Sequence, residues 1–185
     1  MSGPFATATE FCEFIGLPVP NDLARIQAHL GLASAVIRRY CDQVLSVVTN
    51  DVVTLPPVRG STLILPERPV TAVSSVLVNG SSVTDFWFTA AGILHRGTVT
   101  GTIGESWVYG ATITYTHGYA ETTDEFHAIK TVCMEAASRA YTLNERSASE
   151  AMGSTLMESA GYSPEVFLTQ GEKRDLADLG KVGIG

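Results

Sequence analysis

Between residues 43 and 118 the chain carries only seven charged side chains in 76 positions, three basic and four acidic, and is crowded with Val, Thr, Ser and Gly. Few charges and many β-branched residues suit a pleated sheet, and the prolines and glycines cut this stretch into short strands. On either side, apolar residues recur every three or four positions, the period of a helix buried on one face. The order imposed is helix, sheet, helix. The fold class is therefore α+β: a helical framework of two main helices plus a short N-terminal and a C-terminal helix, with an inserted antiparallel β-sheet and hairpin region.

In the first flank, Leu23, Ile26, Leu30, Ala33, Ile37 and Tyr40 predict a helix over 22–41 with Asn21 or Asp22 as its N-cap. Gly31 lies inside it, where Gly costs about 1 kcal/mol relative to Ala, so a close neighbour is expected there. A shorter helix over 9–15 stops at Gly16, Leu17 and Pro18. In the other flank, a helix over 123–141 capped by Thr122, Thr123 or Asp124 aligns Phe126, Ile129, Cys133, Ala136 and Ala140, mostly small residues that permit close helix packing. After Asn144 the chain turns polar, and a last amphipathic stretch covers 172–179. One domain over 1–163 and a tail over 164–185 are expected.

The β region spans 44–117. A first strand breaks at Pro56 and Pro57, and a second lies near 62–65. Asn79 and Gly80 supply the positive φ angles of a two-residue type I′ hairpin. Residues 111–116 alternate, with Ala111, Ile113 and Tyr115 on one face and three threonines on the other, as in a half-exposed antiparallel strand. Gly97, Gly101 and Gly104 punctuate an exposed loop in which only Val99 and Ile103 are apolar anchors. Two such side chains bury too little area to order six residues on their own.

Hydrophobic residues make up 45% of the chain, enough for a core. A net charge of -7 has the wrong sign for gripping phosphates and disfavours a DNA-binding regulator. With no apolar run of membrane-spanning length and no basic, apolar leader, the chain reads as soluble and unexported. Cys12, Cys41 and Cys133 fit neither a disulfide framework nor a metal clip and read as reduced, buried small hydrophobes.

No catalytic, metal-binding or cofactor-binding residue is assigned. Gly104, Glu105, Ser106, Trp107 and Val108 fail the nucleophile elbow at its last position. Gly97, Gly101 and Gly104 lack the ending of a phosphate loop. His29, His95, His117 and His127 lack the helical zinc spacing and read as ordinary surface or interface residues, with His117 serving the turn at Gly118. Trp87 and Trp107, with Phe86, Phe88 and Tyr109, read as sheet core. The other reading is a β-rich binding module with Trp87, Trp107 and Tyr109 lining a ligand pocket.

Three segments carry a resemblance. The first is Leu63, Ile64, Leu65, Pro66, Glu67, Arg68, Pro69, Val70, Thr71, Ala72 and Val73, leading through Asn79 and Gly80 to Gly92, Ile93, Leu94, His95 and Arg96. The second is Ile113, Thr114, Tyr115, Thr116, His117, Gly118 and Tyr119, running into the helix that ends near Tyr141. The third is Leu168, Thr169, Gln170, Gly171, Glu172, Lys173, Arg174, Asp175 and Leu176. In this order they resemble the head-to-tail connector, or adaptor, proteins of tailed bacteriophages. The pattern departs at 120–123, where that family places a proline.

The resemblance implies a structural protein of the virion neck rather than an enzyme, made and assembled in the host bacterial cytoplasm, with no cofactor. It implies a ring of twelve copies on the portal that extends the DNA channel and offers a platform to the next connector, a stopper or a tail-completion protein. Double-stranded DNA would pass without specific binding, and no membrane is involved. A head-closure or tail-terminator protein of the same neck is the alternative position. Leu168, Glu172, Lys173, Arg174, Leu176 and Leu179 are the expected portal-docking residues, on a tail that the core does not need. Thr98, Val99, Thr100, Gly101, Thr102 and Ile103 are the loop expected to order against a neighbouring subunit or the next connector.

Overall fold

Four helices and seven strands occupy residues 3–19, 23–100, 104–153 and 166–179, the residues described by the computed structural model. They form a helical unit, Met1–Asp42 with Asp124–Gly185, and a β unit, Gln43–Thr123. The α+β class read from the sequence is correct.

In the helical unit, α1 (Ala8–Ile15) starts with a reciprocal cap between Thr7 and Glu10 and ends at Gly16, at φ 69°. Along α2 (Ala24–Cys41), Ile26, Leu30, Ala33 and Ile37 are buried as their spacing requires. Tyr40 is exposed, however, and Cys41 ends the buried stripe in its place. The proposed caps Asn21 and Asp22 lie outside the described residues, and Leu23 provides no side-chain cap.

All five stripe residues of α3 (Asp124–Gly153) are buried. Where it meets α2, the Ser34 hydroxyl lies 3.3 Å from the Cys133 thiol and donates to the Leu30 carbonyl at 2.7 Å. Burial is the main cause that raises the Cys133 thiol above its ordinary pKa and pushes Cys41 up to about 11, so both stay protonated. The third cysteine, Cys12, is likewise buried and free.

Three features of this unit differ from the sequence reading. Helix α3 runs to Gly153 rather than ending near 141, because polarity does not stop a helix and no Pro or Gly intervenes before 153. Nothing lies within 4 Å of a β-carbon built on Gly31, so no close neighbour explains that glycine. Phe5 and Ala6 are core residues: Phe5 meets Phe126 edge-on at 6.1 Å, its amide donates to Ser34 Oγ at 3.0 Å, and the Arg38 guanidinium lies 4.2 Å over its ring.

The β unit holds β1 (Val48–Leu55), β2 (Thr62–Ile64), β3 (Val70–Val78), β4 (Ser81–Ser82), β5 (Phe86–Phe88), β6 (Ile93–Arg96) and β7 (Ala111–His117). One sheet has the order β1-β7-β3-β4 and the other β2-β6-β5, all antiparallel. The hairpin forms as read, with Asn79 at φ 50° and Gly80 at φ 77° joining β3 to β4.

Strand β7 is central in its sheet. Ala111, Ile113, Tyr115 and His117 are buried, whereas the threonines are half-buried. Their hydroxyls bridge neighbouring strands, Thr112 to Thr54 and Thr114 to Ser75, each at 3.1 Å. The buried face packs with Leu63, Leu65, Val70, Val76, Leu94 and Trp107.

The segment between β2 and β3 staples the unit together. The Leu65 amide donates to the Gly92 carbonyl, Val70 to Ala90, and the Glu67 carboxylate accepts from the Val44 amide at 2.8 Å. After β7, Gly118 sits at φ 91°, and a β-carbon there would fall 2.3 Å from the Ser46 carbonyl oxygen. Only glycine fits.

Two substitutions separate these effects. Gly31→Ala should raise stability by about 1 kcal/mol in urea unfolding, whereas Gly118→Ala should lower it by about 3 kcal/mol. Equal responses would show that the space around the two glycines is misassigned.

Candidate functional site

The C-terminal helix α4 (Gln170–Ala177) opens with Thr169 and Glu172 in a capping box: the Glu172 amide donates to Thr169 Oγ1 at 3.3 Å, and the Thr169 amide donates to Glu172 Oε2 at 2.7 Å. The same carboxylate receives both Arg139 Nη atoms, at 2.7 and 2.8 Å, from α3. Arg139 also donates to the Phe167 carbonyl at 3.0 Å. Glu172 is only 4% exposed.

Val166, Leu168, Leu176 and Leu179 are buried, and Tyr40 of α2 donates its hydroxyl to the Lys173 carbonyl at 3.0 Å. Of the expected docking residues, then, Leu168, Glu172, Leu176 and Leu179 are turned inward, Lys173 is half-buried and Arg174 is exposed. The view of this segment as one the core does not need is corrected: its leucines complete the apolar packing of the unit. Tyr40, Gln170, Gly171, Lys173, Arg174 and Ala177 line an open groove of about 510 Å³ beside the helix.

Burial acts to raise the pKa of Glu172, but the Arg139 and Thr169 hydrogen bonds and the Arg139 charge outweigh it and hold the carboxyl below its ordinary value of 4.5. Because the folded pKa is lowered, the stabilisation is present above pH 4.5 and is lost as pH falls through the lower, folded value.

The loop after β6 is pinched at its base. Gly97 donates to the Asp85 carbonyl at 2.8 Å and Gly104 to Arg96 at 3.2 Å. A β-carbon on Gly104 would fall 2.5 Å from the Gly97 nitrogen. Thr98, Val99 and Thr100 are exposed, Val99 by 74%. Gly101, Thr102 and Ile103 lie outside the described residues.

The histidines differ from one another. His117 is buried rather than superficial, with Nε2 3.3 Å from Asp51 Oδ2, and so ties β7 to β1. His29 is also buried, and burial first, then the Arg25 charge, lowers its pKa. His95 stacks on Trp87 at 3.9 Å, and His127 is exposed.

Trp107 is fully buried in the β core, whereas Trp87 alternates to the face opposite the core-packed Phe86 and Phe88, and Tyr109 is exposed. Only Tyr109 of the three aromatics lines either described groove of the β unit. Among the described residues no three potential metal ligands cluster, and no helix is long and apolar enough to cross a membrane.

The fold is shared with chains of two gene transfer agent structures. It is similar to a chain in the neck of a native gene transfer agent (GTA) particle computed with C12 symmetry, 17% identical with a TM-score of 0.51, over 77% of this chain and 80% of that one. It is also similar to a chain in the virion of a native GTA particle, 16% identical with a TM-score of 0.51, over 93% of this chain and 96% of that one. No family model and no curated protein sequence matches. At these identities the likeness is one of fold.

Arg139→Ala leaves a buried carboxylate without its cation and should cost about 3 kcal/mol, with α4 becoming sensitive to protease. Adding Glu172→Gln should recover part of that loss, because no charge is then left buried. Wild-type α4 should detach as pH falls through the lowered, folded value of Glu172, seen as lower amide-exchange protection factors over 166–179. A pH-independent α4, or a double variant weaker than the single one, would show that the ion pair does not hold the helix.

Proposed function

We propose that the chain is a structural head-to-tail connector of a tailed-phage-like particle, working as a ring on the portal rather than as an enzyme. The observation that carries this reading is a fold shared with a GTA virion chain along nearly the whole length of both, together with a likeness to a chain of a neck computed with C12 symmetry. Twelve copies would close the ring, extend the DNA channel and present a platform to the next connector or the tail. The two main helices with the inserted β region are the framework of the connector domain over 1–163, and the tail over 164–185 faces the portal.

The physical chemistry supports a passive conduit. A ring needs two different surfaces on one chain, and helical and β units offer surfaces of different chemistry. A chain of net charge -7 does not hold a sliding duplex by its phosphates. On the portal side, α4 presents Lys173 and Arg174, while Leu168, Glu172, Leu176 and Leu179 seat the helix that displays them. The loop of Thr98, Val99, Thr100, Gly101, Thr102 and Ile103 reaches a neighbouring subunit or the next connector.

Mixing the purified chain with portal rings and separating the products on a gradient tests the reading. The chain should comigrate at one copy per portal subunit, and Lys173→Glu with Arg174→Glu should weaken capture about tenfold while leaving the circular dichroism unchanged. Failure to comigrate at any salt concentration would overturn it.

A further inference from the structure

The β unit contains a groove of about 430 Å³ lined by Arg96, Glu105, Ser81, Ser82, Ser106 and Tyr109 among others. Arg96 is the one cationic side chain among its described lining residues. It is held firmly: its side chain is 12% exposed, and its guanidinium carbon lies 5.3 Å over the ring of the fully buried Trp107. Its Nε has no hydrogen-bond partner among the described residues.

One Nη lies 3.1 Å from Glu105, but that carboxylate is 84% exposed. The two partners are therefore unequal. A largely buried guanidinium faces an exposed carboxylate, and such a pair is weakly held. The planar fork of an arginine can take a carboxylate through two parallel bonds, more than a single contact to Glu105 uses. Ser81, Ser82 and Ser106 line the same groove and supply further hydroxyl donors.

We propose that this groove receives an acidic side chain from the helical unit of a second copy of the chain, with Glu105 as the internal competitor that yields to it. This rests on the ring reading above, in which one surface of the chain must recognise a different surface of its neighbour. Charge complementarity selects the occupant. Residues 119–185 hold eleven acidic against six basic side chains, and Glu125, Glu135 and Asp175 of the helical unit are exposed. Segment 43–118 holds three basic and four acidic residues, and Arg96 is the one of the three basic residues that lines this groove.

Sedimentation velocity of the full chain across protein concentration tests this, because the two partners of the pair should respond in opposite directions. Glu105→Gln removes the competitor from an exposed position and should tighten self-association about threefold, whereas Arg96→Gln should weaken it about tenfold. Both differences should vanish near 1 M salt, where screening acts within about 3 Å.

If both variants weaken association, the pair is an internal strut and the proposal fails. If Glu105→Gln changes nothing, including where neither it nor the wild type associates, the proposal fails. Loss of duplex-DNA retention by Arg96→Gln with unchanged self-association would make the occupant a phosphate and overturn it as well. Rings that form on the portal at wild-type strength in both variants would sink this inference while leaving the connector reading intact.

Discussion

A carboxylate that is 4% exposed must have its charge matched, and Glu172 has this done twice over. It closes the first turn of α4 through Thr169, and it takes both ends of the Arg139 fork from α3. Capping alone is a local matter, worth about 1 kcal/mol, and would leave α4 free to stand anywhere. The Arg139 bonds convert a capped helix into a seated one, and the leucines at 168, 176 and 179 then bury their side chains. What remains exposed on the helix is Gln170, Gly171, Arg174, Asp175 and Ala177, with Lys173 half-buried.

The β unit answers the same problem differently, with almost no charge. Strand β7 pairs with β1 on one side and β3 on the other, and its buried face carries Tyr115 and His117 toward the end of the strand. Burial is the leading cause that pushes the Tyr115 hydroxyl up to about 12, so it stays neutral, and His117 meets Asp51 of β1. Gly118 then lets the chain pass against Ser46, and Tyr119 donates to the Leu45 carbonyl, fixing the exit from the sheet. The connector resemblance thus falls on residues whose visible work is structural: the staple from Leu65 to Val70, the central strand and its exit, and the capped α4.

Local patterns were legible where periodicity or turn chemistry decides the outcome. The stripe of α3, that of α2 from Ile26 to Ile37, the Asn79 and Gly80 turn and the alternation of β7 follow from local pattern alone. What spacing could not reveal is which long-range partner a side chain finds. Arg139 has no local feature to mark it as the partner of Glu172, 33 positions away, and the apolar spacing of the α4 segment looked the same whether it docked on its own unit or on another protein. Phe5 and Ala6 carry no core signal in the sequence, because two apolar residues before a short helix show no period. The nearest available signal was the Thr7 and Glu10 capping box just after them. The sequence marks His117 only as a turn residue, because a histidine before a glycine at a strand end is locally indistinguishable from one buried against an aspartate on a neighbouring strand.

Assembly needs defined surface, and the chain supplies seated helices, a stapled sheet unit and a loop pinched at its base with Val99 exposed. A cryo-EM reconstruction of the neck of particles carrying this chain is the most direct test. The density immediately below the portal should resolve into twelve copies of this α+β fold around an open channel, with Arg174 of α4 on the portal side. Density for the chain elsewhere in the particle, or a neck complete without it, would contradict the connector role outright.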